Sequence, residues 1–372
     1  HGSTLIAREV LRVLVDSGCR LAEPGELTLR AVLTGRIDLA AAEAVDDVIH
    51  AKTLAASRAA LQSLAGGLRA MVEPLREICI DALAEIEARL DFPDEDLGAA
   101  RTDELIASLR RAHDQAAHHL ARSRVGRMLN DGARVIFYGP PNAGKSTLLN
   151  ALLGSERALV HEEPGTTRDV LEAAFAIEGI PVTLVDVAGV RPLDEAGAVE
   201  KLGIARAVEE RNRADIVVVM VPAHEPNAVD QARALGGDIR VLSKLDLASP
   251  AAIAALAPVI ASAADDDAGA PIALSATTGA HMNELVDAIA RKLALGHALD
   301  GEALLMRERQ VEHVRAAHDA LTASIHALAQ REAGEVVASE LRRAARAFDQ
   351  LLGRDVDVDV LDRIFSRFCI GK

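Results

Sequence analysis

The spacing of apolar and polar positions changes texture twice along the chain. From Ser3 to Val15 the residues Leu5, Ile6, Val10, Val13 and Leu14 recur every three or four positions, which predicts an amphipathic helix stopped by Gly18. Asp38 stands where an N-cap for a helix over Leu39–Ile49 belongs. Helical spacing continues through Ala55–Leu64, Pro74–Leu90 and Thr102–Leu129. In Pro74–Leu90 one stripe carries Leu75, Ile78, Cys79, Leu83, Ile86 and Leu90, so Cys79 reads as core. Phe92–Asp96 interrupts the helices as an acidic, solvated loop. From Arg134 the pattern switches to short β-rich runs alternating with helices: Arg134–Tyr138, Val170–Ile177, Val182–Val187, Ile216–Val221, Arg240–Ser243 and Ile272–Leu274. A helix over Met282–Leu293 closes that region. Helical spacing returns over Ala303–Gln330, Glu335–Leu352 and Asp359–Phe368. Alternating strands and helices predict a mainly parallel sheet. The expected fold class is α/β plus all-α, with the α/β domain inserted into a helical domain.

Composition sharpens this in three ways. Half the residues are apolar but only 2% are aromatic, so Ala and Leu do most of the packing, which favours helices. The net charge of −15 forces no broad basic face, so direct nucleic-acid contact, where there is any, would be local. Cys19, Cys79 and Cys369 are far apart and form no C-x-x-C pair, which suits a reducing cytoplasm better than a disulfide or zinc framework. No run is apolar enough to span a membrane and no signal peptide is visible. The chain starts at His1, already close to a helical pattern, and reads as lacking its true N-terminus.

The chemistry gathers at Gly139-Pro140-Pro141-Asn142-Ala143-Gly144-Lys145-Ser146-Thr147, between a strand and a helix. That is the context of a phosphate-binding P-loop. Glycines let backbone N–H groups wrap a phosphate, and the helix N-terminus adds its positive dipole end. Lys145 can reach the β- and γ-phosphates, and Ser146 can offer its hydroxyl to Mg²⁺. Four further pieces follow in the order a GTPase needs. In Gly165-Thr166-Thr167-Arg168-Asp169 a Thr hydroxyl, assigned to Thr167, can close on Mg²⁺. In Asp186-Val187-Ala188-Gly189 the Asp can hold Mg²⁺ through water and the Gly N–H can meet the γ-phosphate. In Ser243-Lys244-Leu245-Asp246 the last carboxylate suits the guanine N1–H and exocyclic amine. Ser275-Ala276-Thr277 can offer a backbone N–H to the guanine oxygen.

This set resembles the G domain of translation-factor-related GTPases, and the whole chain resembles, more narrowly, the MnmE (TrmE) family of tRNA-modification GTPases. Three stretches outside the nucleotide motifs carry the narrower likeness. They are Gly25-Glu26-Leu27-Thr28 through Gly35-Arg36-Ile37-Asp38-Leu39 with Ala42-Glu43-Ala44, then Glu200-Lys201-Leu202-Gly203-Ile204, and the terminal Phe368-Cys369-Ile370-Gly371-Lys372. The resemblance implies a domain plan: 1–35 as the remnant of an N-terminal folate-binding domain, 36–130 and 298–372 as the halves of the helical domain, and 131–297 as the G domain. It implies a K⁺-activated GTPase that works with the flavoprotein MnmG, as a homodimer, to place a carboxymethylaminomethyl or aminomethyl group on the wobble uridine, U34, of tRNA. It implies K⁺ held by Asn142 and the loop carrying His161, Glu163 and Thr166, with Glu200 as the catalytic residue that orients water. It implies 5-formyltetrahydrofolate near Arg36 and Lys372.

The sequence departs from that pattern in places. Val190 follows the Asp-x-x-Gly motif, where many small GTPases carry a water-orienting Gln. Ser243 stands where the family has Asn, and a hydroxyl cannot supply both an amide donor and an amide acceptor, so weaker guanine binding is expected. Val187 replaces a Thr, and Pro164 stiffens the loop before Gly165. Two other readings stay open: a non-catalytic nucleotide-dependent switch, motivated by Ser243 and Val190, and a ribosome-assembly GTPase, for which no basic RNA-binding domain is visible. Cys369 is a buried thiol on one reading and a nucleophile near a one-carbon donor on the other.

Overall fold

In the computed structural model, residues 3–91, 99–154, 172–186, 208–254, 256, 269–293, 302–354 and 364 are described. The chain separates into two compact units. One gathers His1–His50, Ala60–Ala121 and Glu308–Lys372; the other gathers Ala51–Ala59 and Arg122–Arg307.

The first unit is helical. It holds α1 (Thr4–Asp16), α2 (Glu26–Leu33), α3 (Leu39–His50), the second half of α4 (Leu54–Leu64), α5 (Gly67–Asp91) and most of α6 (Ala99–Asp131). Two later helices from the far end of the sequence complete it, Glu308–Ala329 and Gly334–Leu352. The latter packs against both the former and α5. Its Val337, Leu341, Phe348 and Leu351 are buried, as are Leu68, Val72, Leu75, Cys79 and Ile86 of α5. Burial pushes the Cys79 thiol up to about 12, so Cys79 is an inert core residue, as its place in the stripe predicts. Asp38 caps α3 through a 2.8 Å bond from the Ala41 N–H to Oδ1. α5 begins at Gly67 rather than Pro74, which lies inside it. The buried positions Leu68 and Val72 extend the apolar stripe upstream of the proline, and that burial offsets the one backbone bond a proline removes. α1 forms where the spacing predicts, yet none of its residues is buried and Leu5 is 68% exposed.

A buried ion pair joins the two ends of the sequence in this unit. Glu43 of α3, 2% exposed, accepts from Arg309 Nε at 2.7 Å, Arg309 Nη2 at 2.9 Å and Gln310 Nε2 at 2.9 Å. Arg309 also donates to the carbonyls of Gln350 and Leu351, at the end of the last helix.

The second unit is built on a six-stranded sheet. Its strands are β1 (Ala133–Tyr138), β2 (Glu172–Ile177), β3 (Ile180–Asp186), β4 (Ile216–Pro222), β5 (Ile239–Ser243) and β6 (Ile272–Ala273), in the order β2-β3-β1-β4-β5-β6. β2 pairs antiparallel with β3; every other pairing is parallel. Helices α7 (Lys145–Leu153), α8 (Ala228–Leu235) and α9 (Met282–Lys292) accompany the sheet. α10 (Glu308–Ala329) and α11 (Gly334–Leu352) are the two later helices of the helical unit. β4 is buried along its whole length, the mark of a strand covered on both faces. Val217, Val219 and Val221 of β4 share a core with Ala228, Val229 and Ala232 of α8. The P-loop α/β domain is thus inserted, in sequence, into an all-α domain. No helix among the described residues is long and apolar enough to cross a membrane.

Candidate nucleotide site

Parallel strands with helical crossovers end at one edge of the sheet, and loops leaving the carboxyl ends of such strands form the natural binding crevice. β1 delivers Tyr138 there and runs straight into the glycine loop. β3 delivers Asp186, whose Cα pairs with that of Phe137. β5 delivers Ser243, paired with Pro222 of β4, and β6 lies beside Leu242. Sheet register alone therefore brings the glycine loop, the Asp186 strand end and the loops after β5 and β6 to one edge.

The loop itself is shaped by backbone demands. A Cβ on Gly139 would run into the Met220 carbonyl of β4, so only glycine lets the loop leave the sheet here. Asn142 turns the chain with φ 63° and is exposed. Gly144 has φ 90° and is the N-cap of α7. Lys145 is 6% exposed, with Nζ donating to the carbonyls of Gly139 and Pro140 at 3.0 Å each. Its ammonium is thus held at the mouth of the loop. Ser146 and Thr147 stand exposed in the first turn of α7, where helical N–H groups lack intrahelical acceptors and the dipole favours anions. An exposed serine hydroxyl beside a phosphate cradle is an oxygen donor of the kind Mg²⁺ takes, so the residues present fit that ion.

The side of the cleft carrying Ser243–Asp246 and Ser275–Thr277 is held by two serine hydroxyls. Ser243 Oγ, buried at the end of β5, donates to the Ala143 carbonyl at 2.6 Å. Lys244 adopts φ 55°, and its side-chain stem lies over Gly144, where a Cβ would sit 3.8 Å from Lys244 Cε. Leu245 donates its N–H to the Leu274 carbonyl at 3.1 Å. Ser275 Oγ donates to Asp246 Oδ1 at 2.6 Å and accepts from the Thr278 N–H at 3.2 Å. Gly144, Thr147, Asp246, Leu247, Ala276 and Thr277 border one cleft. Of the residues singled out from sequence, the structure brings together Ala143, Gly144, Lys145, Ser146, Thr147, Ser243, Lys244, Leu245, Asp246, Ser275, Ala276 and Thr277, with Asn142 at the rim. Arg36 is an exposed residue of the helical unit. His161, Glu163, Gly165, Thr166, Thr167, Val187, Ala188, Gly189, Glu200, Cys369 and Lys372 lie outside the described residues. Sequence reasoning missed the Ser243 bond to the phosphate loop and the Ser275 bond to Asp246. Its only available signal was a hydroxyl residue at the end of each of two neighbouring strands.

A glycine loop of P-loop pattern and the Ser243–Asp246 loop border one cleft at the carboxyl edge of a parallel sheet; this is the construction of a P-loop GTPase, and the chain is a GTP hydrolase of that class, using Mg²⁺. A family model described as the MnmE helical domain matches residues 39–369. The tRNA modification GTPase MnmE of Parasynechococcus marenigrum is 39% identical over all of this chain and 80% of its own length. Its namesakes from Symbiobacterium thermophilum and Thermotoga maritima are 38% and 36% identical over the whole chain, covering 80% and 82% of their lengths. The chain belongs to the MnmE family.

Proposed function

We propose that the protein is a K⁺-activated GTPase that acts with the flavoprotein MnmG in carboxymethylaminomethyl or aminomethyl modification of the wobble uridine, U34, of tRNA. The observation that carries this reading is identity of 36–39% across the entire chain, both units included, to relatives named tRNA modification GTPase. A shared G domain alone would support only a GTPase.

In this reading Lys145 leaves its two carbonyls for the phosphates, whose full charges outcompete neutral acceptors. Ser146, Thr167 and Asp186 would be the residues that hold Mg²⁺. Mg²⁺, when bound, neutralises charge on the phosphate oxygens. Asp246, fixed by Ser275, selects guanine. Val190 cannot orient water, so Glu200 takes that role as catalytic residue. Asn142 and the loop of His161, Glu163 and Thr166 would hold K⁺, which would supply positive charge where negative charge develops. Arg36 and Lys372 would serve 5-formyltetrahydrofolate, whose carboxylates suit cations. The active form is a cytoplasmic homodimer.

The test is genetic and chemical. Lys145→Ala is placed in the chromosomal gene, and bulk tRNA is digested for nucleoside mass spectrometry. The wobble modification is expected to disappear while the protein remains at its normal level. Retention of the modification with Lys145 absent would refute the assignment.

A further inference from the structure

We propose that Ser243 is a positioning residue for phosphate binding: its hydroxyl orients the peptide between Ala143 and Gly144, so that the Gly144 N–H is presented to the nucleotide. The inference deepens the nucleotide reading above and rests on it.

The Ser243 side chain is 2% exposed and its Oγ lies 2.6 Å from the Ala143 carbonyl, although the residues are 100 positions apart. Ala143 is itself fully buried, so no water competes for that carbonyl. No peptide among the described residues is cis. In a trans peptide the C=O and N–H point in opposite directions. Fixing the Ala143 carbonyl toward β5 therefore fixes the Gly144 N–H away from β5. Gly144 is the N-cap of α7, where N–H groups have no intrahelical acceptor and make the anion-binding end of the helix. With φ 90° and no Cβ, Gly144 leaves this peptide free to rotate. An external bond is what removes that freedom.

Hydroxyl valence then divides the labour. Ser243 has one proton, and the Ala143 carbonyl takes it. It has none left to donate to a base nitrogen. Reading of the base falls to Asp246, whose Oδ1 is held by a different hydroxyl, that of Ser275. The residue occupying the first place of the base-reading motif thus serves the phosphate end, and the serine after β6 serves the base end.

The experiment measures affinity for GDP and for 7-deazaguanosine diphosphate, which lacks the base nitrogen that a side chain at this position would otherwise reach. Wild type, Ser243→Ala and Ser243→Thr are compared by calorimetry, with circular dichroism confirming the fold. Ser243→Ala is expected to weaken both ligands by the same factor, about five- to tenfold, the size of one lost hydrogen bond. Ser243→Thr, which keeps the hydroxyl, is expected to restore both. Should Ser243→Ala fail to fold, Ser243→Cys keeps the shape with a weaker donor and is expected to show a smaller but equal loss. A loss seen with GDP and absent with the deaza analogue would overturn the proposal in favour of base reading, as would unchanged affinity for GDP. Wild type that binds neither ligand would overturn the nucleotide reading itself, and this proposal with it.

Discussion

Glu43 and Arg309 show what one buried pair carries. Glu43 meets both ends of the guanidinium fork and Gln310 besides, in a site where Glu43 is nearly fully enclosed. Glu43→Ala leaves Arg309 partly buried without its counter-charge, at a cost of about 3–5 kcal/mol. Thermal unfolding of the variant is expected to show a fall of several degrees; a melting point within one degree of wild type would contradict this account. Nearby, burial pushes the His313 imidazole down to about 4, with the Arg309 charge adding to the effect and Glu43 opposing it. The folded state therefore resists protonation that the unfolded state accepts near 6.5. Its contribution is fully present above about pH 6.5 and is lost as pH falls toward 4. Replacing His313 by Gln is expected to flatten that limb of a melting-temperature profile. At this scale the sequence made Lys145, Ser146 and Asp246 legible, because motif spacing places them relative to a strand end. It hid the contacts of Ser243, Ser275 and Glu43, because each partner lies far away in the chain and no local spacing encodes it.

The β2–β3 hairpin is the element whose neighbours matter most. Its turn, Glu178-Gly179, has φ 48° and 88°, the two positive values of a tight two-residue hairpin turn. Thr53, which caps α4 by accepting the Ala56 N–H at 3.1 Å, also donates to the Gly179 carbonyl at 2.5 Å. A Cβ on Gly179 would lie 2.8 Å from Ala55 Cβ. Gly179→Ala therefore meets both an unfavourable φ and a clash, and is expected to destabilise the sheet unit by about 1–3 kcal/mol. Urea unfolding followed by near-ultraviolet signal from Tyr138 checks this, and an unchanged midpoint would show that the turn is not pinned as described. Two helices missed by periodicity, α2 and α8, are eight residues each, about two turns and too short for a 3.6-residue period to show. Conversely α1 was legible as a helix, because periodicity reports a face; it does not report what, if anything, covers that face.

Across the whole chain, the change of texture near Arg134 and again after the last strand marks an α/β unit set within helical sequence. Hydrophobic period distinguishes a continuous apolar strand such as β4 from the striped helices on either side. Two helices run across the division: α4, which begins among residues of the sheet unit, and α6, whose last residues from Arg122 onward belong to it. Their periodicity is unbroken at those points, so the sequence gives no sign of where one unit takes over from the other. The nucleotide crevice emerges only when parallel pairing brings strand ends from residues 138, 186, 243 and 273 to one edge. The proposed K⁺-activated mechanism puts a monovalent cation in place of an arginine or a water-orienting glutamine. Its most direct test is GTP turnover in KCl and in NaCl at equal ionic strength, for wild type, Asn142→Ala and Glu200→Ala. The account predicts turnover at least about tenfold higher in KCl, with both variants falling to the NaCl level or below. Equal turnover in the two salts, indifferent to Asn142 and Glu200, would contradict it.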